Sequence, residues 1–111
     1  MIKLFQNILQ SMVLAKPLIW SPEADKDLEN ILEFLDRKWP LQIVQDFLNN
    51  LFNTLDWIRL NPHSFMGYEN ADNIRKYVLS EFHTLYFEVF ETHIDLLRIF
   101  DNRQDQKSLG L

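Results

Sequence analysis

The spacing of apolar residues changes along the chain. Apolar side chains recur every three or four residues over residues 22–38 and again over residues 40–59. This spacing is typical of amphipathic helices. Ser21-Pro22 favours a helix start, whereas Trp39-Pro40 and Asn61-Pro62 each favour a helix end. The pattern predicts two consecutive helices that pack as an antiparallel hairpin.

Strand-like segments lie on both sides of the helical hairpin. One precedes it at Leu14–Trp20, and three follow it at Ile74–Ser80, Phe82–Phe90 and His93–Phe100. Residues 61–73 have no clear period and are predicted to be irregular. The order β-α-α-β-β-β predicts an α+β fold, in which an antiparallel meander completes a four-stranded sheet and the helix pair covers one of its faces.

The last predicted strand runs directly into the polar sequence DNRQD, residues 101–105. Successive side chains of a strand face opposite sides. We therefore expect Leu97 and Ile99 to face the helices, and Leu96 and Arg98 to face away from them. The plain structural role for Arg98 is a cross-strand ion pair with one of three acids, Glu88, Asp95 or Asp101.

A chain of 111 residues fits one domain. We assign residues 14–108 to that domain, residues 1–13 to an N-terminal extension and residues 109–111 to a tail. Two interpretations of the extension stay open. It is a short amphipathic helix that packs on the domain, or it results from a misassigned start upstream of Met12.

Composition and charge exclude several kinds of site. The chain has no cysteine, so disulfides and thiolate chemistry are absent, which fits a reducing, cytoplasmic compartment. No apolar span reaches membrane length, and no membrane association is expected. The net charge of −5 is spread over both halves of the chain and disfavours direct nucleic-acid binding. No motif for a cofactor or a metal ion is present.

The histidines and the acids of the first helix have plain structural interpretations. His63 lies in the irregular segment, His83 opens a strand and His93 flanks a turn, so ordinary hydrogen bonding accounts for each. Five acids crowd the first helix: Glu23, Asp25, Asp27, Glu29 and Glu33. We expect a solvated face that favours the helix dipole, with a partner-binding acidic patch as the alternative.

Five motifs in a fixed order carry a family resemblance. SPEADKDL, LNP, IRKYVL, HTLYFEV and LLRIFDNRQD together resemble the RelE/ParE superfamily of type II toxins, over about residues 14–108. The resemblance implies a helical hairpin on a curved antiparallel sheet. It also implies a cognate antitoxin that wraps this surface, and hence a toxin–antitoxin hetero-oligomer.

Function divides within this superfamily. RelE-like members are ribosome-dependent mRNA endoribonucleases, whereas ParE-like members poison DNA gyrase without hydrolysing a substrate. Here Thr84 follows His83 where RelE-like nucleases often carry arginine, and no histidine or tyrosine follows Asp95. A C-terminal general acid or base of that kind is therefore missing. The resemblance favours a ParE-like, non-enzymatic toxin that inhibits growth, of the kind associated with plasmid stabilisation.

The same resemblance implies a site after the last strand. Arg103 and Asp105 resemble a short polar motif of ParE-like members, and Arg103 is expected either to contact the target or to anchor the tail through Asp101 and Asp105. The target- or partner-binding candidates are Arg98, Asp101, Asn102, Arg103 and Asp105.

Two alternatives to the gyrase inhibitor stay open. One is the RelE-like endoribonuclease, with six residues to hold RNA and move protons: Arg75, Lys76, Tyr77, His83, Arg98 and Arg103. The other is a non-toxic scaffold that only binds an antitoxin.

Overall fold

The computed structural model describes residues 15–62, 66–68 and 71–111. The N-terminal extension, residues 1–13, lies outside this part of the chain. The elements in chain order are β1 (Leu18–Trp20), α1 (Pro22–Lys38), α2 (Leu41–Leu60), β2 (Met66–Tyr68), β3 (Ala71–Val78), β4 (His83–Val89), β5 (Ile94–Asp101) and a 3₁₀ helix (Gln106–Leu109).

The helix boundaries follow from local chemistry. Ser21 has extended backbone angles, and its Oγ accepts a hydrogen bond from the N–H of Ala24 at 3.0 Å, which satisfies one free donor of the first turn of α1. Trp39 ends this helix in an extended conformation, because Pro40 follows it. Asn61 ends α2 directly before Pro62, with backbone angles that are neither helical nor extended. Within the described residues no helix is both long and apolar enough to cross a membrane.

The sheet has the strand order β1-β5-β4-β3-β2. β1 pairs with β5 in parallel, and the other three pairs are antiparallel. The predicted α+β fold, a helical hairpin on a mainly antiparallel sheet, is confirmed. The short strand β2 lies within the segment predicted to be irregular, and it adds a fifth strand at the edge beside β3.

Two apolar clusters lie on opposite faces of the sheet. The main core is formed where the helices cover the sheet, and its fully buried members include Leu51 and Ile58 of α2 and Leu85 and Phe87 of β4. The smaller cluster is formed by Tyr86, Phe100 and Leu109, with Leu97 packed against it. Because side chains alternate along β4, this second cluster lies on the face away from the helices, called the outer face below.

A β-bulge in β5 determines which of its side chains belong to each cluster. Tyr86 pairs with Arg98 and Phe87 pairs with Leu96, so Leu97 is an extra residue on β5. An extra residue resets the alternation of side chains. Leu96 is therefore buried in the main core and Leu97 lies on the outer face, the reverse of the prediction, whereas Ile99 faces the helices as predicted. The prediction failed because it counted the strand without a bulge.

Because of the bulge, Leu96 and Leu97 should contribute unequally to the free energy of unfolding, and this difference is testable. We expect Leu96→Ala to lower the free energy of unfolding by about 2–5 kcal/mol, because it leaves a cavity in the main core. Leu97→Ala removes a half-buried side chain and is expected to cost less than half as much. Urea unfolding of both variants measures the difference, and equal losses would contradict the bulge.

Candidate functional site

Arg98 and Asp27 form a paired, mostly buried ion pair between β5 and α1. The Nε of Arg98 donates to Asp27 Oδ2 at 2.7 Å, and Nη2 donates to Oδ1 at 3.0 Å. The two side chains are 17% and 14% exposed, respectively. The hydrogen bond to Asp27 raises the pKa of Arg98 above its already high value. The guanidinium is therefore a permanently charged structural group.

Asp27 also completes the edge of β5. The strand β1 ends at Trp20, and beyond that point no strand among the described residues pairs with this edge of β5. The N–H of Ile99 donates to Asp27 Oδ2 at 2.9 Å, while Ser21 donates its N–H to the carbonyl of Leu96 and its Oγ–H to that of Leu97. The first half of α1 thus satisfies the backbone groups that a longer β1 would have satisfied.

One acid of the predicted solvated face is therefore misassigned. Asp27 points at β5 rather than at solvent because Arg98 and the N–H of Ile99 both bind it. The other four acids of the predicted face are exposed as expected, namely Glu23, Asp25, Glu29 and Glu33, and so is Asp36 in the last turns of α1.

Arg103 follows β5 and stays at the surface. Its Nε and Nη2 donate to the two carboxylate oxygens of Asp101 at 2.9 and 2.8 Å. The guanidinium lies 5.1 Å from the centre of the Phe82 ring, and the side chain is 58% exposed. These hydrogen bonds lower the pKa of Asp101. Arg103 is thus held in one orientation by a carboxylate and an aromatic ring while still reaching solvent.

The other polar residues after β5 organise the local backbone. The amide of Asn102 donates to the carbonyl of Glu81 at 3.2 Å and accepts from the Oγ1–H of Thr84 at 2.7 Å, which ties the β3–β4 turn to the end of β5. Asp105 accepts from the N–H of Lys107 and so caps the 3₁₀ helix. Arg103 therefore pairs with Asp101, whereas Asp105 binds the backbone.

An open apolar groove lies beside Arg103, where the helical hairpin turns. It has a volume of about 320 Å³, and we call it the hairpin-end groove; its lining is Phe34, Trp39, Ile43, Phe82, His83 and Arg103. Trp39 is 54% exposed and Phe82 is 45% exposed. The Nζ of Lys38 lies 5.7 Å from the centre of the Phe34 ring. The groove therefore combines exposed aromatic surface with a positively charged rim.

His83 lies at the inner side of this groove. Its ring meets the ring of Phe47 edge-on, with centres 5.7 Å apart. Burial lowers the pKa of His83, and the charge of Asp101 offsets this effect in part. A lowered pKa favours the neutral imidazole at pH 7. His93, by contrast, stacks on Phe90 at the β4–β5 turn, with ring centres 4.7 Å apart, while His63 lies outside the described residues.

The six candidate nuclease residues do not all converge on one place, although His83, Arg98 and Arg103 line one pocket together with Asp101. Arg75, Lys76 and Tyr77 lie on β3, and β4 separates them from β5. Lys76 pairs with Tyr86 and so lies on the outer face, whereas Arg75 and Tyr77 pair with residues of the helix face. Arg98 is already bound by Asp27. Within the described residues no cluster of acids and histidines could bind a metal ion.

Sequence reasoning missed three residues that shape this region. The Trp39-Pro40 pair predicts only a helix break, and it does not show that Trp39 is exposed in the groove. Phe34 fits the helical period, and nothing in the pattern shows that it is part of the groove. The role of Asp27 has no local signal, because its partner Arg98 is 71 residues away.

The ion pair between α1 and β5 is testable by removing one charge. Asp27→Asn leaves Arg98 with an incomplete partner and is expected to lower the free energy of unfolding by about 2–4 kcal/mol. Glu33→Gln, an exposed change on the same helix, is the control and should stay within about 0.5 kcal/mol of the parent. Chemical denaturation measures both. Equal, small effects would show that the pair contributes nothing.

The lowered pKa of His83 predicts a pH-dependent stability. The unfolded chain takes up a proton near pH 6.5, whereas the folded chain takes it up only at lower pH. Stability from this group is therefore full above pH 6.5 and falls as pH drops through the interval down to the folded-state pKa. The lowered pKa of Asp101 acts only below pH 3.8. Between pH 7.5 and 5.5, His83→Asn should flatten the fall in melting temperature that thermal unfolding measures.

Comparisons with known proteins identify a family that the chain resembles. The family model described as the ParE toxin of the type II toxin–antitoxin system, parDE, matches residues 18–106. A solved structure, the chromosomal ParDE TA system from P. aeruginosa, has a similar fold, with a TM-score of 0.65 and 17% identity over 78% of this chain and 96% of that one. At that identity the likeness supports the fold alone.

Among curated proteins, none matches the sequence significantly. The family match nevertheless spans most of the chain and includes both helices, the sheet and the residues around Arg103. The chain therefore belongs to the ParE toxin family of type II toxin–antitoxin systems.

Proposed function

We propose that this chain is a growth-inhibiting toxin that binds a type II topoisomerase, DNA gyrase in the first place, and that a cognate antitoxin neutralises it by forming a hetero-oligomer. The observation that carries the proposal is the hairpin-end groove, an exposed aromatic surface with Arg103 held on its rim. The proposed action is binding to a protein rather than catalysis.

The groove has the composition of a protein-binding surface. Tryptophan and arginine are the residues that most often dominate binding energy at protein interfaces. Trp39 and Phe82 expose about half of their surface, and Leu41 beside them is 67% exposed. Contiguous apolar surface of this kind on a small domain indicates a partner. The groove therefore supports recognition of a large apolar side chain.

Arg103 supports the specificity of this contact. Asp101 binds two of its three guanidinium nitrogens, and in the described part of the chain the third, Nη1, has no hydrogen-bond acceptor. The side chain is already oriented, so little conformational entropy is lost when a partner binds. We expect an acidic or carbonyl group of the target to bind Nη1 beside the apolar contact.

The endoribonuclease remains the second candidate, because of His83. A neutral imidazole in an open groove next to an arginine has the chemistry of a general base near a phosphate clamp. Against it, Lys76 lies on the opposite face of the sheet, and Arg98 already binds Asp27 and the carbonyls of Ser108 and Leu109. The net charge of −5 also disfavours RNA.

The acidic face of α1 supports a binding role for the antitoxin. Five carboxylates on that helix are exposed, and the chain is acidic as a whole. Complementary charge increases the association rate and the selectivity of a protein pair. We expect the antitoxin to present a basic segment to α1, and we expect both proteins to act in the cytoplasm, where topoisomerases meet DNA.

Production of the chain alone in a bacterium tests the mode of action. Within minutes of induction, incorporation of labelled thymidine should fall before incorporation of labelled methionine. Arg103→Ala should weaken target binding about tenfold or more and restore growth, because it removes the charged contact at the groove. Arg37→Ala, an exposed arginine in the last turn of α1, is the matched control and should remain toxic.

The other outcomes point to the other functions. An earlier fall in methionine incorporation would contradict topoisomerase inhibition and favour the nuclease, and His83→Asn would then have to abolish the effect. Undisturbed growth at full expression would favour the non-toxic scaffold. Circular dichroism of each purified variant shows whether a loss of toxicity is a loss of fold.

A further inference from the structure

The apolar cluster on the outer face is closed by the end of the chain. Tyr86 and Phe100 meet edge-to-face with ring centres 6.3 Å apart, and Leu97 packs beside them. Leu109 covers this cluster and is only 2% exposed. We call residues 105–111 the C-terminal strap. The strap therefore supplies the one side chain from outside the sheet that joins this cluster in the described structure.

Arg98 places hydrogen-bond donors beside the same apolar cluster. Its Nη1 donates to the carbonyl of Leu109 at 2.8 Å and to that of Ser108 at 3.2 Å. Asp27 fixes the opposite side of the guanidinium, which lies 5.7 Å from the centre of the Phe100 ring. A rigidly held donor thus stands beside an apolar pocket, which is an arrangement that binds a peptide backbone together with one side chain.

The strap is attached lightly. Gln106, Lys107 and Ser108 are exposed, and the Oγ–H of Ser108 donates to Asp105 within the strap. Gly110 has a positive φ of 75°, which turns the chain away, and Leu111 beyond it is 45% exposed. In the described structure the hydrogen bonds from sheet to strap are the two from Arg98. The family match also ends at residue 106, before Leu109.

We infer that the outer face carries a peptide-binding site, formed by Tyr86, Leu97, Arg98 and Phe100, which the C-terminal strap occupies until a segment of the antitoxin replaces it. The ligand is a short peptide with one aliphatic side chain for the pocket and adjacent backbone carbonyls for Arg98. The identity of the partner rests on the proposed function, whereas the site itself rests on the contacts of the strap.

A synthetic peptide of residues 104–111, QDQKSLGL, is the probe. The protein is the full-length chain with Leu109→Asn, which empties the pocket, and Leu111→Asn is the matched control that leaves Leu109 in place. In NMR spectra the peptide should shift the resonances of Tyr86, Leu97 and Phe100 of Leu109→Asn. The affinity should be in the millimolar range, about the effective concentration that a short tether supplies. The parent chain, Leu111→Asn, and a peptide with Leu109→Ser should give no shift.

Leu109→Ala, a milder change, replaces Leu109→Asn if the latter does not fold. A folded Leu109→Ala chain that shows no shift with the peptide overturns the site. A second arm uses the complex of this variant with its co-produced antitoxin, in which the peptide should no longer shift those resonances. If the peptide still does so, the antitoxin is not the occupant. Failure of the proposed toxicity leaves the peptide result unchanged, so the two failures are distinguishable.

Discussion

A single carboxylate, that of Asp27, connects the helix α1 to the strand β5. Asp27 accepts hydrogen bonds from the guanidinium of Arg98 and from the N–H of Ile99, so it binds both a side chain and the backbone of β5. β1 is only three residues long, and α1 must therefore finish the edge of the sheet that this strand leaves open. The position of α1, the orientation of Arg98 and the attachment of the chain end all depend on this one acceptor.

The two arginines near the end of β5 show how environment separates structure from recognition. Arg98 and Arg103 each bind an aspartate through two nitrogens. Arg98 is mostly buried, and its third nitrogen binds backbone carbonyls of the C-terminal strap, so another protein reaches it only by replacing the strap. Arg103 is mostly exposed, and its third nitrogen has no hydrogen-bond acceptor among the described residues. Arg103 can therefore contact another protein directly, whereas Arg98 first has to lose its hydrogen bonds to the strap.

Elements whose causes are local could be predicted from the sequence, and those with distant causes could not. The helix that begins at Pro22 follows from the serine–proline start, and the pair of Arg103 with Asp101 lies within one short polar run. The bulge at Leu97 has no signal in the hydrophobic pattern. The faces predicted for Leu96 and Leu97 are therefore the reverse of those in the structure. The role of Asp27 depends on a partner on another element, and the composition of its helix indicated only a solvated acid.

The topology also has a consequence for the order of events on the ribosome. β1 lies at residues 18–20 and its partner is β5, the last strand of the chain. During synthesis the helical hairpin emerges long before β5. β1 therefore cannot pair until almost the whole chain has been synthesised. Contacts between such distant segments form late and slowly. The parallel pair of β1 and β5 therefore forms only when translation is nearly over, so this edge of the sheet is the last to be completed.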